Sequence, residues 1–197
     1  VCQSARCPNL SECWRERTAT FMLLGNICTR SCRFCAVQHG KPRELDLSEP
    51  DRVAEAVNDL KLDYAVITSV NRDELPDGGA FIFAETVRCI RAIRPSCRVE
   101  LLVPDFCGNL ESLDVVLRAK PDVLNHNVET VLRLYRTIQP WSKWDDSLAI
   151  LRHAGEQGFV TKCGIIAGLG ETNEELFDAI RQVRETGCQI LTVGQYL

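Results

Sequence analysis

The sequence predicts an α/β fold of six strand–helix units, in which parallel strands are joined by helical crossovers. Two observations carry this. A short, apolar, β-rich run recurs six times along the 197 residues, and every run but the last is followed by an amphipathic helical pattern. The repeat length is that of a barrel-type βα unit, so the strands build either a barrel wall or an open parallel sheet. In both, ligands meet the carboxyl ends of the strands.

The elements follow in order. The first strand runs from Ala19 to Gly25. A cysteine-rich loop and a polar stretch come next. Ser48 then reads as a helix N-cap, with Pro50 in the first turn and Asp51 at the third helical position, and Val53, Val57 and Leu60 share one helical face. The second strand is Tyr64–Thr68. Asp77, Gly78 and Gly79 make a turn, and the helix beyond it carries Phe83, Val87 and Ile90 on one side and stops before Pro95. The third strand, Val99–Val103, is closed by Pro104, and its helix covers about Leu110 to Ala119. The fourth strand is Asp122–Asn127, followed by helical patterns over Val131–Ile138 and Asp145–Glu156 with Pro140 between them. The fifth strand is Val160–Ala167, and Thr172 with Glu175 forms a capping box for a helix to about Glu185 that Gly187 ends. The sixth strand is Ile190–Val193, and its helix is missing.

Composition narrows the function. With 45% hydrophobic and 25% charged residues, the chain builds one sizeable core. A net charge of −4 without any basic stripe argues against a nucleic-acid partner. Its apolar runs fall far short of the ~20 residues a membrane span needs. No signal or transit peptide is visible. A cytoplasmic protein is expected, or one of the mitochondrial or plastid matrix if eukaryotic. The first residues, Val1 and Cys2, lack an initiator Met and begin inside a motif, so the chain reads as a trimmed fragment.

Eleven cysteines are too many for chance. In a small secreted protein they would suggest disulfides, but six of them form two tight triplets, which fits metal ligation in a reducing compartment better. Cys28, Cys32 and Cys35 are spaced C-x3-C-x2-C, so one loop can aim three thiols at one centre. A 4Fe-4S cluster is normally held by four cysteines; three would leave one iron open to a chelating ligand. Zinc is the alternative, with His39 completing a Cys3His set, and buried free thiols are the bland one. Cys2, Cys7 and Cys13 form the second triplet, C-x4-C-x5-C. Residues 1–17 therefore read as an auxiliary motif extension and 18–197 as the core.

The first triplet, with aromatic Phe34 before its last cysteine, resembles the radical S-adenosylmethionine (SAM) superfamily. The polar stretch after strand two, with Ser69, Asn71 and Asp73, lies where that superfamily often receives the SAM amino group. Gly164, Ile166, Gly168 and Glu171 match its G-x-I-x-G-x-x-E pattern for the adenine. The upstream triplet, with Thr18–Phe21, Thr68–Gly79, Pro104–Phe106, Asn125–Val131 and Gly194–Leu197, resembles the lipoyl synthase family over essentially the whole chain. The resemblance implies a partial six-unit TIM-like barrel of the radical SAM type. It implies two 4Fe-4S clusters and SAM: one cluster on Cys28, Cys32 and Cys35 that reduces SAM to methionine and a 5′-deoxyadenosyl radical, and an auxiliary cluster on Cys2, Cys7 and Cys13 that gives up sulfur. It implies sulfur insertion at C6 and C8 of a protein-bound octanoyl group. The implied partners are octanoylated lipoyl-carrier domains (E2 subunits or the glycine cleavage H protein) and an electron donor such as ferredoxin or flavodoxin. The chemistry suits the substrate, because an alkyl C–H offers acid–base catalysis nothing to grip. Two departures stand out. The family's Arg-Ser-Ser-Tyr motif, which supplies a serine ligand, does not occur in these 197 residues, and Asn71 stands where members commonly have Asp.

Around this framework, strand alternation sends Asn125 and Asn127 to one face, towards a ribose or substrate amide, and His126 to the other, as a satisfied core histidine. Glu129 is a second ribose candidate or a helix N-terminal charge. Lys162 reads as a snorkelling surface lysine and Glu171 alternatively as a turn cap. Cys89, Cys97, Cys107, Cys163 and Cys188 read as small buried apolar residues, and Trp141 and Trp144 as helix packing. The competing functions are another sulfur-inserting or methylthio-transferring radical SAM enzyme, a two-cluster electron carrier, whose usual spacing is different, and a structural zinc protein.

Overall fold

A computed structural model describes residues 10–196. Cys2 and Cys7 lie outside the described residues, as does Leu197. A short helix, α1 (Leu10–Arg15), precedes the first strand, β1 (Thr18–Leu23). Two-residue strands β2 (Ile27–Cys28) and β3 (Gln38–His39) follow, then α2 (Glu49–Asp59), β4 (Tyr64–Ser69), α3 (Ala80–Ile93) and β5 (Arg98–Leu102). A 3-10 turn at Phe106–Gly108 leads into α4 (Leu110–Arg118), β6 (Val123–Asn125), α5 (Leu132–Ile138), α6 (Trp144–Glu156), β7 (Thr161–Ala167), α7 (Asn173–Glu185) and β8 (Ile190–Gln195).

Six of these strands form one parallel sheet in the order β1-β4-β5-β6-β7-β8, open among the described residues, with β1 and β8 as its edges. The sheet therefore follows the chain, each strand lying beside its predecessor, as successive βα units require. No helix among the described residues is long and apolar enough to cross a membrane.

Strand alternation divides the sheet's two faces. Ala65, Ile67, Val99, Leu101 and Leu124 pack with Val57, Phe83, Val87, Ile90, Leu113 and Val116 of α2, α3 and α4 in one core. A second core joins Val128, Tyr135, Trp144, Leu151, Cys163, Ile165 and Val183. Each large aliphatic side chain so buried contributes about 1.5–3 kcal/mol. The opposite face is polar at its centre. Glu100, 2% exposed, accepts from Tyr64 Oη at 2.7 Å, Asn125 Nδ2 at 2.8 Å and Lys162 Nζ at 2.9 Å. Lys162 is thus half-buried and held in an ion pair with the buried Glu100, and is not a snorkelling surface lysine.

Local chemistry sets the boundaries. The Thr172–Glu175 capping box forms in both directions. Asp77 accepts from the amides of Gly79 and Phe81 at 2.9 and 2.8 Å, so the expected turn also caps α3. Ser48 occupies the N-cap of α2 but makes no side-chain cap, because its hydroxyl donates to Asp46 at 2.7 Å. Leu60 is 44% exposed; Lys61 takes a left-handed φ of 51° and turns Leu62 into the core instead.

Candidate cluster and cofactor site

The cysteine loop is built on the carboxyl end of β1. Leu24 and Gly25 turn the chain out of the strand with φ of 67° and 86°, and Glu49 holds that turn by accepting from Leu24 N at 2.6 Å. The loop's ends are clipped together, since β2 pairs in parallel with β3, Cys28 opposite His39. At the root, Cys28 Sγ accepts from the amides of Asn71 at 3.3 Å and Arg30 at 3.4 Å. At the apex, Cys32 is half-buried and Cys35 exposed, linked by a Cys35 N–Cys32 O bond of 3.1 Å.

Burial pushes the Cys32 thiol up to about 11, and charge on Cys35 and Cys28 pushes it further while Arg30 opposes. Burial likewise raises Cys35, with Cys28 and Glu129 adding to it. Charge on one thiol of the loop thus opposes ionisation of the next, an effect that a bound cation relieves. Among the described residues no three His, Cys, Asp or Glu side chains are close enough to hold a metal ion. That applies to the three thiols with His39 as zinc ligands as well as to the thiols alone. Three sulfurs on one partly exposed loop are the donor type that iron–sulfur clusters take, and a cluster, unlike a single ion, spreads its ligands over several irons and needs no common point within reach of all three.

Next to the loop, Asn71 accepts from Thr29 N at 3.0 Å through its carbonyl. Asp73 has both oxygens engaged by Arg30, at 2.7 and 2.9 Å. Ser69 Oγ is buried without a hydrogen-bond partner, as is Asn125 Oδ1. Buried polar atoms are normally paired, so these two fit a polar ligand lying over the strand ends.

On β7 a Cβ at Gly164 would lie 2.6 Å from Asn127 Oδ1, so only glycine leaves that amide in place. Glu129 has a left-handed φ of 64° and bridges to β7: its amide donates to Gly164 O at 3.2 Å and its carbonyl accepts from Ile166 N at 2.8 Å. Burial holds its carboxyl up at about 7 against a hydrogen bond from Asn127. It is not a helix charge, because α5 has no acidic residue in its first turn. Gly168, φ 99°, donates its amide to Glu171 at 2.6 Å, so Glu171 closes its own turn. Ile166 and Phe34 are half-buried.

The structure therefore brings the predicted residues into two groups. Cys28 and Asn71 are in contact around the loop, and Asn127 and Glu129, in the segment after β6, are in contact with Gly164 and Ile166 on β7. The charge of Glu129 is felt at Cys32 and Cys35. Cys13 lies in α1. His126 is the expected core residue: Nδ1 donates to Val103 O at 2.9 Å and Nε2 lies 2.9 Å from Ser147 Oγ, the neutral form that its burial favours. Trp144 is buried edge-on to Tyr135, while Trp141 is 62% exposed and packs no helix. Cys89, Cys97 and Cys163 are buried as expected; Cys107, in the 3-10 turn, is exposed and Cys188 half-buried, against the expectation. Sequence reasoning missed Arg30 and Asp105. Both lay inside motifs already noted, but no local pattern pairs them.

Comparison with known proteins adds to this geometry. The profile of the radical SAM superfamily matches residues 22–183. The chain is 58% identical to a lipoyl synthase of Rubrobacter xylanophilus, covering 100% of this chain and 62% of the relative. It is 55% identical to the lipoyl synthase of Chloroflexus aggregans, covering 100% of this chain and 65% of that one, and 54% identical to that of Chlorobium phaeovibrioides, covering 100% and 70%. The chain thus spans a little over six-tenths of the first relative's length. Among solved structures, methylornithine synthase superposes with a TM-score of 0.70 at 15% identity, over 95% of this chain and 58% of that one. Streptococcus suis SuiB bound to S-adenosylmethionine does so with 0.73 at 11% identity, over 99% and 45%. At such identities these two share the fold.

Proposed function

The chain belongs to the lipoyl synthase family of the radical SAM superfamily, and from that premise we propose that it serves sulfur insertion at C6 and C8 of an octanoyl group carried on a protein lysine. The observation that carries this reading is the 55–58% identity, over the whole of this chain, to relatives named lipoyl synthase.

Cys28, Cys32 and Cys35 would hold one 4Fe-4S cluster, and Cys2, Cys7 and Cys13 a second. Bound there, the first cluster with SAM supplies one-electron chemistry strong enough to take hydrogen from an unactivated alkyl C–H, and the second supplies sulfur. The rest falls to this chain's side chains. Ser69 Oγ, buried and unpaired, receives the SAM amino group beside Asn71. Asn125 and Asn127 hydrogen-bond ribose hydroxyls. Glu129, poised at about 7, accepts from a hydroxyl when ionised and donates to one when neutral. Gly164, Ile166 and Gly168 offer a backbone edge to the adenine, and Phe34 covers the loop. The octanoyl chain comes on lipoyl-carrier domains, E2 subunits or the glycine cleavage H protein, and the electrons from a ferredoxin or flavodoxin.

The test is anaerobic reconstitution of the full-length protein. It should take up about eight irons, cleave SAM, and add two sulfurs to an octanoyl-lysine peptide. Replacing Cys2, Cys7 and Cys13 with Ala should leave about four irons and SAM cleavage but no sulfur-bearing product. Uptake of zinc alone with SAM left intact would refute the reading.

A further inference from the structure

We propose that Arg30 is a positioning residue that couples the cysteine loop to the loops after β4 and β5 and so fixes how Cys32 and Cys35 are presented. This rests on reading Cys28, Cys32 and Cys35 as the ligands of the SAM-binding cluster.

Arg30 stands two residues after Cys28 and two before Cys32. It is 4% exposed although the loop around it is open. Its Nε donates to Asp73 Oδ2 at 2.7 Å, and Nη2 to Asp73 Oδ1 at 2.9 Å. The same guanidinium reaches Asp105, Nη2 to Oδ1 at 2.7 Å and Nη1 to Oδ2 at 2.8 Å. Nη1 also donates to Ser142 Oγ at 3.0 Å, and Nη2 to Cys107 Sγ at 3.2 Å. One side chain in the cysteine loop is thus bonded to three other connections of the fold.

The backbone repeats the attachment. The Asp73 amide donates to Thr29 Oγ1 at 3.2 Å, and Asn71 N and Arg30 N both donate to Cys28 Sγ. The loop is therefore fixed from Cys28 to Arg30, and at its apex the Arg33 amide donates to Ile138 O at 2.9 Å. A change at Arg30 would shift the root of the loop against that apical anchor and so alter how the three thiols are spaced.

Geometry also changes the role of Asp73. Both its oxygens face the guanidinium, so the carboxylate acts through Arg30, and Ser69 with Asn71 is left to meet the ligand. Two carboxylates against one cation make the fork essential. A planar guanidinium can face both bidentately, whereas an ammonium holds them only as a point charge. Charge alone therefore does not replace Arg30.

The experiment uses the full-length protein with Cys2, Cys7 and Cys13 changed to Ala, so that only the loop cluster reports. Iron content, circular dichroism, the low-temperature EPR spectrum of the reduced cluster with and without SAM, and SAM affinity are measured for the Arg30 parent, Arg30→Lys and Asp73→Asn. The expected result for Arg30→Lys is a folded protein with parental iron whose SAM-induced spectral change is lost and whose SAM affinity falls by about tenfold or more. Asp73→Asn, altering a partly exposed carboxylate and leaving the Arg30–Asp105 pair, should shift the same readouts in the same direction by less, and it decides the matter if Arg30→Lys does not fold. Parental spectra and affinity in a folded Arg30→Lys, or in Asp73→Asn, would overturn the proposal. A parent that takes up no iron overturns the reading of the loop beneath it.

Discussion

Gly164 on β7 lies with its Cα against the side-chain amide of Asn127, so close that a Cβ would fall 2.6 Å from Oδ1 and 2.8 Å from Cγ. The glycine is thus required by space. Gly164→Ala should push Asn127 aside, lowering stability by about 1–3 kcal/mol and weakening SAM binding. Thermal unfolding and a SAM titration check both. Gly194→Ala, where a Cβ meets nothing within 4 Å, is the control and should stay within about 0.5 kcal/mol of the parent.

The same amide bears on Glu129, whose carboxyl is raised by burial from its ordinary 4.5 to about 7. Below 4.5 the group is neutral folded and unfolded. Between 4.5 and 7 the unfolded chain ionises first, so stability falls as pH rises through that window. Glu129→Gln should remove that fall and raise the metal-free protein's stability at pH 8 by about 3 kcal/mol. Urea denaturation at pH 4.5 and pH 8 measures it; equal pH dependence in both proteins would refute the assignment.

Glu100 is 3% exposed at its side chain and depends on Lys162 for its compensating charge. Lys162→Met should therefore cost about 3 kcal/mol, because the carboxylate is left buried without its counter-charge, with only Tyr64 and Asn125 donating to it. The double variant Lys162→Met, Glu100→Gln should recover most of that loss. Chemical denaturation of the four proteins forms the cycle.

Thr172 accepts from Glu175 N at 3.2 Å while Glu175 accepts from Thr172 N at 2.8 Å. Thr172→Ala removes one half of that reciprocal cap and should cost about 1 kcal/mol, seen as a lower Tm with little change in SAM affinity.

Much of this could be read in the chain. Turn and capping signals placed the ends of α3 and α7 within a few residues, because N-caps, prolines and glycine turns act locally. The glycine pattern on β7 and the cysteine spacing were legible for the same reason. Three features were not. The strands β2 and β3 are two residues each, too short to show a period. The polar face built by Tyr64, Glu100, Asn125 and Lys162 spans four strands, and each residue alone looks like an ordinary interruption. Arg30 meets partners 43, 75 and 112 positions away, a distance at which only the fold supplies neighbours.

The pairing of Cys28 with His39 has a consequence for maturation. The cysteine loop is closed at its neck by backbone bonds, and the strands beneath it pair through their main chains and not through the thiols. Loading is therefore expected to come late, onto a folded scaffold, in contrast to small zinc modules whose fold appears only with the metal. Chelation should accordingly empty the loop without melting the sheet, leaving a chain that can be recharged.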